Sequence, residues 1–197
     1  MENLILTGEQ RLRLLQLVSA IPTLDLDRGP WLAGGAARAI VIPEQGTHDL
    51  DIFFKSEEQL LEYAGMLKGL KWRESPYPGH GNQRVRRFDQ NRWEGKPKTF
   101  VAKTLIPPVQ VIGMFYYQDV AELLESFSVT ACMFATDGRR LVCADGAVED
   151  ATAKRFTVRN PERLNKNFIS KYLESYGYKY DGDPEDLLLV ASVEEWS

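Results

Sequence analysis

The stretch from Trp31 to Phe54 reads WLAGGAARAIVIPEQGTHDLDIFF, and two features in it decide the fold. Gly34 and Gly35 close a short strand, Trp31-Leu32-Ala33, and open a brief helix from Ala36 to about Ile42, which Pro43 stops. With no Cβ at either glycine, backbone amides at the helix start can approach a phosphate closely. Fourteen residues after Gly35 comes Asp49-Leu50-Asp51, at the head of the alternating run to Phe54 that reads as a second strand. Residues i and i+2 of a strand share a face, so both carboxylates project together while Leu50 and Ile52 turn to the core. Two adjacent carboxylates repel, and a divalent cation relieves the repulsion. Mg²⁺ is commonly held by one or two carboxylates together with substrate phosphates. A phosphate cradle beside a paired-carboxylate clamp is the chemistry of phosphoryl or nucleotidyl transfer.

On either side of this stretch, helices and strands intermingle. Thr7 and Gln10 have capping-box spacing ahead of an apolar stripe that ends at Pro22. Ser56 caps SEEQLLEYAGMLKGL, with acids in its first turn. Short β-like runs follow at 84–88, 99–104 and 109–112, in a region rich in Pro and Gly. Asp119 starts a helix through Glu125, residues 127–135 read as a strand, and Asp137-Gly138 turns into 140–143 as a hairpin. Asn160-Pro161 predicts an N-cap with proline at the first helical position, opening a helix that runs to Gly177. The order predicts an α/β (α+β) fold, a mixed sheet with flanking helices. All 197 residues form one domain in this reading, with a core at about 24–145 and a helical, acidic appendage at about 150–197.

Composition narrows the classes. The chain is 44% hydrophobic and 26% charged, which fits a globular protein and excludes disordered or fibrous ones. Its two cysteines, Cys132 and Cys143, are too few for a disulfide framework. No apolar run approaches the ~18 residues of a membrane span. No basic, apolar leader is visible at the N-terminus, so a cytoplasmic location is expected. The net charge of −4 hides an asymmetry: Lys68 to Thr104 holds ten basic and three acidic residues, +7 locally, leaving −11 elsewhere. Such a stretch is either a field for an anion, such as a phosphate chain or RNA backbone, or the solvated face of antiparallel strands. His48, ahead of Asp49, is either a phosphate contact or a surface residue, and Trp93 in NRWEGK is a candidate for stacking on a base. Trp31, Cys132 and the tyrosines Tyr172, Tyr176 and Tyr178 read as packing.

The glycine pair, the helix and the Asp-x-Asp strand together resemble the polymerase-β-like nucleotidyltransferase superfamily, which includes tRNA CCA-adding enzymes and poly(A) polymerases. The segments VQVIGMFYYQDVAELLESFSVTACMFATDG (109–138) and NPERLNKNFISKYLESYGY (160–178) look like parts of small, often phage-encoded members. The resemblance implies a Mg²⁺- or Mn²⁺-dependent enzyme. It would move a nucleoside monophosphate from a nucleoside triphosphate to an acceptor hydroxyl on RNA, tRNA or protein. Asp49 and Asp51 would be the catalytic metal ligands, and Gly34 and Gly35 would hold the phosphates. Arg38, with some of Arg84, Arg86, Arg87 and Lys103, would neutralise the phosphates or an RNA acceptor. Superfamily members often carry a third carboxylate on a neighbouring strand, and in this alignment its place falls on Ser128. Three alternatives follow: two carboxylates suffice; Asp89, Glu94 or Asp119 substitutes; or the chain is a degenerate member that binds a nucleotide, RNA or protein without catalysis.

Overall fold

A computed structural model of the chain describes residues 1–19, 21–67, 72–74, 87–89, 92–94, 100–102, 107, 109–164, 166–183, 185 and 187. Arg84, Arg86 and Lys103 lie outside the described residues, and Arg87 is described only as part of a strand backbone.

The sheet is built from β1 (Glu2–Asn3), β2 (Trp31–Ala33), β3 (Leu50–Phe53), β4 (Trp72–Glu74), β7 (Phe100–Ala102), β8 (Val109–Val111), β9 (Phe134–Thr136) and β10 (Leu141–Cys143). Its eight strands run in the order β1-β10-β9-β2-β3-β8-β7-β4, while β5 (Arg87–Asp89) and β6 (Arg92–Glu94) pair separately. The β3–β8 pair is parallel and every other pair is antiparallel, so the sheet is mixed as expected. Its short, central strands β2 and β3 lie side by side, with Ala33 opposite Asp51.

Helices cover both faces: α1 (Gly8–Val18), α2 (Gly35–Arg38), α3 (Glu57–Met66), α4 (Val120–Glu125), α5 (Ala147–Ala153) and α6 (Lys166–Ser170). The two apolar clusters follow from strand alternation. Leu50, Ile52 and Phe54 pack with Leu60, Tyr63, Val109 and Val111 on one face. Phe53 packs with Leu123, Phe134, Phe156 and Tyr172 on the other. Trp31 is fully buried, and its indole N–H donates to the Leu26 carbonyl, which satisfies the one polar atom it carries into the core.

The expected caps form. Thr7 Oγ1 accepts from the Gln10 amide at 3.2 Å, the Thr7 amide donates to Gln10 Oε1 at 2.9 Å, and Ser56 Oγ accepts from the Gln59 amide. The 137–138 hairpin also forms: Asp137 Oδ1 accepts from the amides of Arg139 and Arg140, and Gly138 supplies a φ of 87°.

Three expected elements differ. The strand expected at 127–135 begins at Phe134, because residues Thr130–Cys132 wind into a 3₁₀ turn after Val129 bridges Val158. The helix expected at 36–42 is the single turn Gly35–Arg38. The helix expected from Asn160 to Gly177 is broken into a 3₁₀ turn (Pro161–Arg163), α6 and a π-helical turn (Lys171–Ser175). Asn160 does not cap a helix there. Its amide group instead donates to the carbonyls of Glu125 and Phe127, tying the segment to the end of α4.

Candidate active site

Alternation along β3 puts Asp49 and Asp51 on the sheet face opposite Leu50 and Ile52, which are 2% and 0% exposed. The paired carboxylates therefore stand where the sequence pattern places them. On the parallel neighbour β8, Gln110 is in register with Asp51 and flanked by the fully buried Val109 and Val111. The Gln110 side-chain amide donates to Asp49 Oδ2 at 2.7 Å and is itself 9% exposed. This residue has no counterpart among the expected site residues. A polar side chain between two valines in a strand was the available signal.

The register also moves the third-carboxylate position. The strands beside β3 are β2 and β8, which set Ala33 and Gln110 beside Asp51, so the polar side chain next to it on a neighbouring strand is that of Gln110. Ser128 lies outside both strands, and its hydroxyl donates to the Arg163 carbonyl at 3.0 Å. Ser128 therefore does not stand on a strand beside the aspartates, contrary to expectation, and Gln110 does. The error came from reading 127–135 as the adjacent strand.

Asp51 is half-buried as a residue, but its Oδ1 is enclosed with no hydrogen-bond partner among the described residues. Desolvation, then the charge of Asp49, pushes the Asp51 carboxyl well above the usual carboxylate range, and the Lys171 charge partly offsets this. A buried carboxylate oxygen with no donor beside a second carboxylate is a place that a cation would satisfy. Among the described residues, no group of three or more His, Cys, Asp or Glu forms a metal cluster.

The glycine turn divides its labour. Gly34 has φ 81° and ψ −139°, open in practice only to glycine, and its N–H donates to the Phe134 carbonyl at 2.8 Å. The amides left for an anion are those of the first turn of α2, from Gly35 onward. A Cβ on Gly35 would meet nothing closer than Arg38 Nη2 at 3.8 Å. Gly34→Ala is therefore expected to lose about 1–3 kcal/mol of stability through backbone strain, while Gly35→Ala stays near neutral in chemical denaturation. Equal losses for both would contradict this division.

Arg38 was expected to face a triphosphate. In the structure it is 2% exposed, and its guanidinium donates to Tyr172 Oη at 2.8 Å and to the Ala131 carbonyl at 3.3 Å. Tyr172 Oη also lies 2.7 Å from Cys132 Sγ. Burial raises the pKa of both Tyr172 and Cys132, so both stay protonated at neutral pH. The network joins α2 to the 3₁₀ turn and to the C-terminal segment. Arg38 is thus not brought together with the aspartates at an open surface. His48 is exposed, and its ring lies parallel to Tyr176, with centroids 6.0 Å apart and planes 5° apart.

The Thermotoga maritima CCA-adding enzyme complexed with tRNA(CCA) is 15% identical, with a TM-score of 0.52 over 94% of this chain and 41% of its own. A CCA-adding enzyme complexed with ATP gives a TM-score of 0.54 at 15% identity, over 94% of this chain and 42% of its own. A tRNA nucleotidyltransferase complexed with a primer tRNA and an incoming ATP analog gives 0.53 at 16% identity, over 83% of this chain and 47% of its own. The chain thus spans less than half the length of these structures. The likeness establishes the polymerase-β-like nucleotidyltransferase fold. No curated protein matches by sequence. The family described as "Gabija anti-defense 2 family protein" matches residues 9–154, close to three quarters of the chain and every element from α1 to α5. The chain therefore belongs to the Gabija anti-defense 2 family, built on a nucleotidyltransferase fold.

Proposed function

We propose that this protein is a divalent-metal-dependent nucleotidyltransferase that moves a nucleoside monophosphate from a nucleoside triphosphate to an acceptor hydroxyl. The observation that carries the reading is the enclosed Oδ1 of Asp51, without a partner among the described residues, beside Asp49 and next to the glycine turn. Asp49 and Asp51 would hold the cation, Mg²⁺ or Mn²⁺, and hard carboxylate oxygens suit either. When bound, it would supply charge neutralisation and Lewis-acid polarisation at the phosphates. Gln110 orients Asp49 through its 2.7 Å hydrogen bond. Amides from Gly35 onward would receive the β- and γ-phosphates. The acceptor oxygen forms a bond to the α-phosphorus as the bond to the pyrophosphate oxygen breaks in line. The acceptor proton leaves to solvent or to a carboxylate, and pyrophosphate is released.

The acceptor hydroxyl is proposed to lie on RNA or protein, and the family description names anti-defense as the setting in which the chain would act. The structural neighbours that hold tRNA, ATP or an ATP analog support nucleotide and RNA partners. Arg84, Arg86, Arg87 and Lys103 remain proposed contacts for an RNA acceptor. Among the described residues no helix is long and apolar enough to cross a membrane, and a cytoplasmic site of action is proposed.

Calorimetry with ATP, GTP, CTP and UTP, in the presence of Mg²⁺ or Mn²⁺, tests the reading without knowledge of the acceptor. Wild type is expected to bind at least one nucleotide only with metal, and an Asp49→Ala/Asp51→Ala variant to lose that binding. Absence of binding by wild type would refute it. Gln110 supports a second reading, a binding module without transfer, because an amide can neither ligate Mg²⁺ as strongly as a carboxylate nor take up the acceptor proton. Under that reading, anti-defense activity survives Asp49→Ala and is lost when Arg84, Arg86 and Arg87 are changed together.

A further inference from the structure

Asp49 and Asp51 are held in different ways. Asp51 sits within the sheet, opposite Ala33 on β2 and Gln110 on β8. Asp49 precedes Leu50, the first paired residue of β3, so the segment that leads into the strand sets its place. That segment starts with the 3₁₀ turn Pro43–Gln45, and Gly46, at φ 68° and ψ 172°, turns the chain from it toward Asp49. Contacts from distant parts of the chain hold it. Gln45 Nε2 donates to the Ala151 carbonyl on α5 at 2.8 Å, and Gln45 Oε1 accepts from the Tyr178 hydroxyl at 2.7 Å. Both ends of one amide are thus used, which fixes its orientation. The ring of His48, the residue before Asp49, lies parallel to that of Tyr176.

Tyr178 is a fixed donor. It is 3% exposed, and its amide donates to the Tyr172 carbonyl at 3.0 Å. The Lys179 amide donates to the Lys154 carbonyl, and the Lys179 carbonyl accepts from the Phe156 amide, both at 2.7 Å. A hydroxyl anchored on both sides constrains Gln45 rather than following it. At the other end of the segment, Asp49 Oδ2 meets the Gln110 amide, which β8 holds in place. We propose that Gln45 and Tyr178 are positioning residues of the candidate metal site: their hydrogen bond sets Asp49 against Gln110 and so tunes cation binding. Groups one step removed from a metal commonly orient its ligands in this way. The proposal rests on the nucleotidyl-transfer reading and deepens it. It makes cation binding depend on Tyr178, outside residues 9–154, the part that matches the family.

The first readout needs no metal. In the full chain, isotope-labelled at glutamine, the Gln110 side-chain amide signal reports the bond to Asp49 and is assigned by its loss in Gln110→Glu. Tyr178→Phe keeps the buried ring and removes only the donor hydroxyl, while Gln45→Met removes both amide contacts. In each variant the Gln110 signal is expected to move toward that of free glutamine, and its protons to exchange faster with solvent. Mn²⁺ affinity, read by calorimetry, should fall about tenfold in each. The double variant should lose no more than Gln45→Met alone, because both changes act through one bond. Tyr63→Phe is the control, since Tyr63 is 2% exposed and its hydroxyl donates to the Pro22 carbonyl at 3.2 Å, in the cluster on the opposite face of the sheet. It should leave both readouts unchanged, and thermal melts check that every variant folds. An unmoved Gln110 signal in Tyr178→Phe overturns the proposal, and so does unchanged Mn²⁺ affinity. Equal changes in Tyr63→Phe also overturn it, because they trace the effects to lost stability. If wild type itself binds no Mn²⁺, the nucleotidyl-transfer reading fails instead, and the Gln110 signal alone decides whether Gln45 and Tyr178 position Asp49.

Discussion

Asp51→Asn is expected to abolish metal-dependent nucleotide binding and, at neutral pH without metal, to make the protein more stable than wild type. Ionised Asp51 carries an enclosed oxygen with no donor among the described residues and feels the charge of Asp49, so the folded state holds it at a disadvantage. Its folded pKa lies above the unfolded value. The metal-free fold is therefore favoured most at and below the ordinary carboxylate pKa, and loses that advantage as pH rises through the raised folded value. Asparagine removes the charge and the pH dependence together. A gain of about 1–3 kcal/mol is expected, or roughly 3–10 °C in a chelator-containing melt. Mg²⁺ should stabilise wild type and leave Asp51→Asn unmoved. A variant less stable than wild type at pH 7.5 in chelator would mean that Asp51 is paired in the folded state, and would remove the main argument for a cation there.

Gln110→Glu should have the second large effect, and it separates the two functional readings. The amide that donates to Asp49 Oδ2 at 2.7 Å becomes a carboxylate at the same place, nearly buried. Two carboxylate oxygens at that separation cannot both be ionised, so the pair retains a proton or the fold pays in repulsion. In chelator at neutral pH a loss of about 2–4 kcal/mol is expected, recovered on adding Mn²⁺. Metal affinity should rise by about 10- to 100-fold as a third carboxylate joins the first two. Calorimetry with Mn²⁺ and a denaturant titration with and without metal read both effects. If the chain is a binding module that has left metal chemistry behind, Mn²⁺ will not restore stability to Gln110→Glu.

The feature that both predictions depend on was legible in sequence, because strand alternation is a local rule. Asp49 and Asp51 bracket an apolar residue, and any strand with Leu50 and Ile52 inward sends both carboxylates to the other face. The two caps, at Thr7 and Ser56, were legible for the same reason, since each is settled within four residues. The fold class followed from the element order, and the likeness to CCA-adding enzymes bears it out.

Gln110 was not legible. Its place beside Asp51 depends on β8 pairing parallel with β3 in one register, across nearly sixty residues that include the basic stretch. Sequence spacing cannot supply register between strands so far apart, and the third-carboxylate place was consequently set on Ser128. Arg38 failed to appear at a surface for a related reason. Its side chain follows α2 inward because Tyr172, from the far C-terminal segment, offers it a buried hydroxyl. The π turn Lys171–Ser175, with Lys171 Nζ 5.4 Å from the Tyr176 ring centroid, was likewise not legible in the sequence, which read there as one continuous helix. By itself, then, the sequence determined the paired carboxylates, the glycine turn and the class of fold, all consequences of local periodicity and backbone sterics. The tertiary structure alone decided which neutral amide stands beside those carboxylates and that Arg38 turns into the core, because strand register and long-range packing are properties of the assembled sheet.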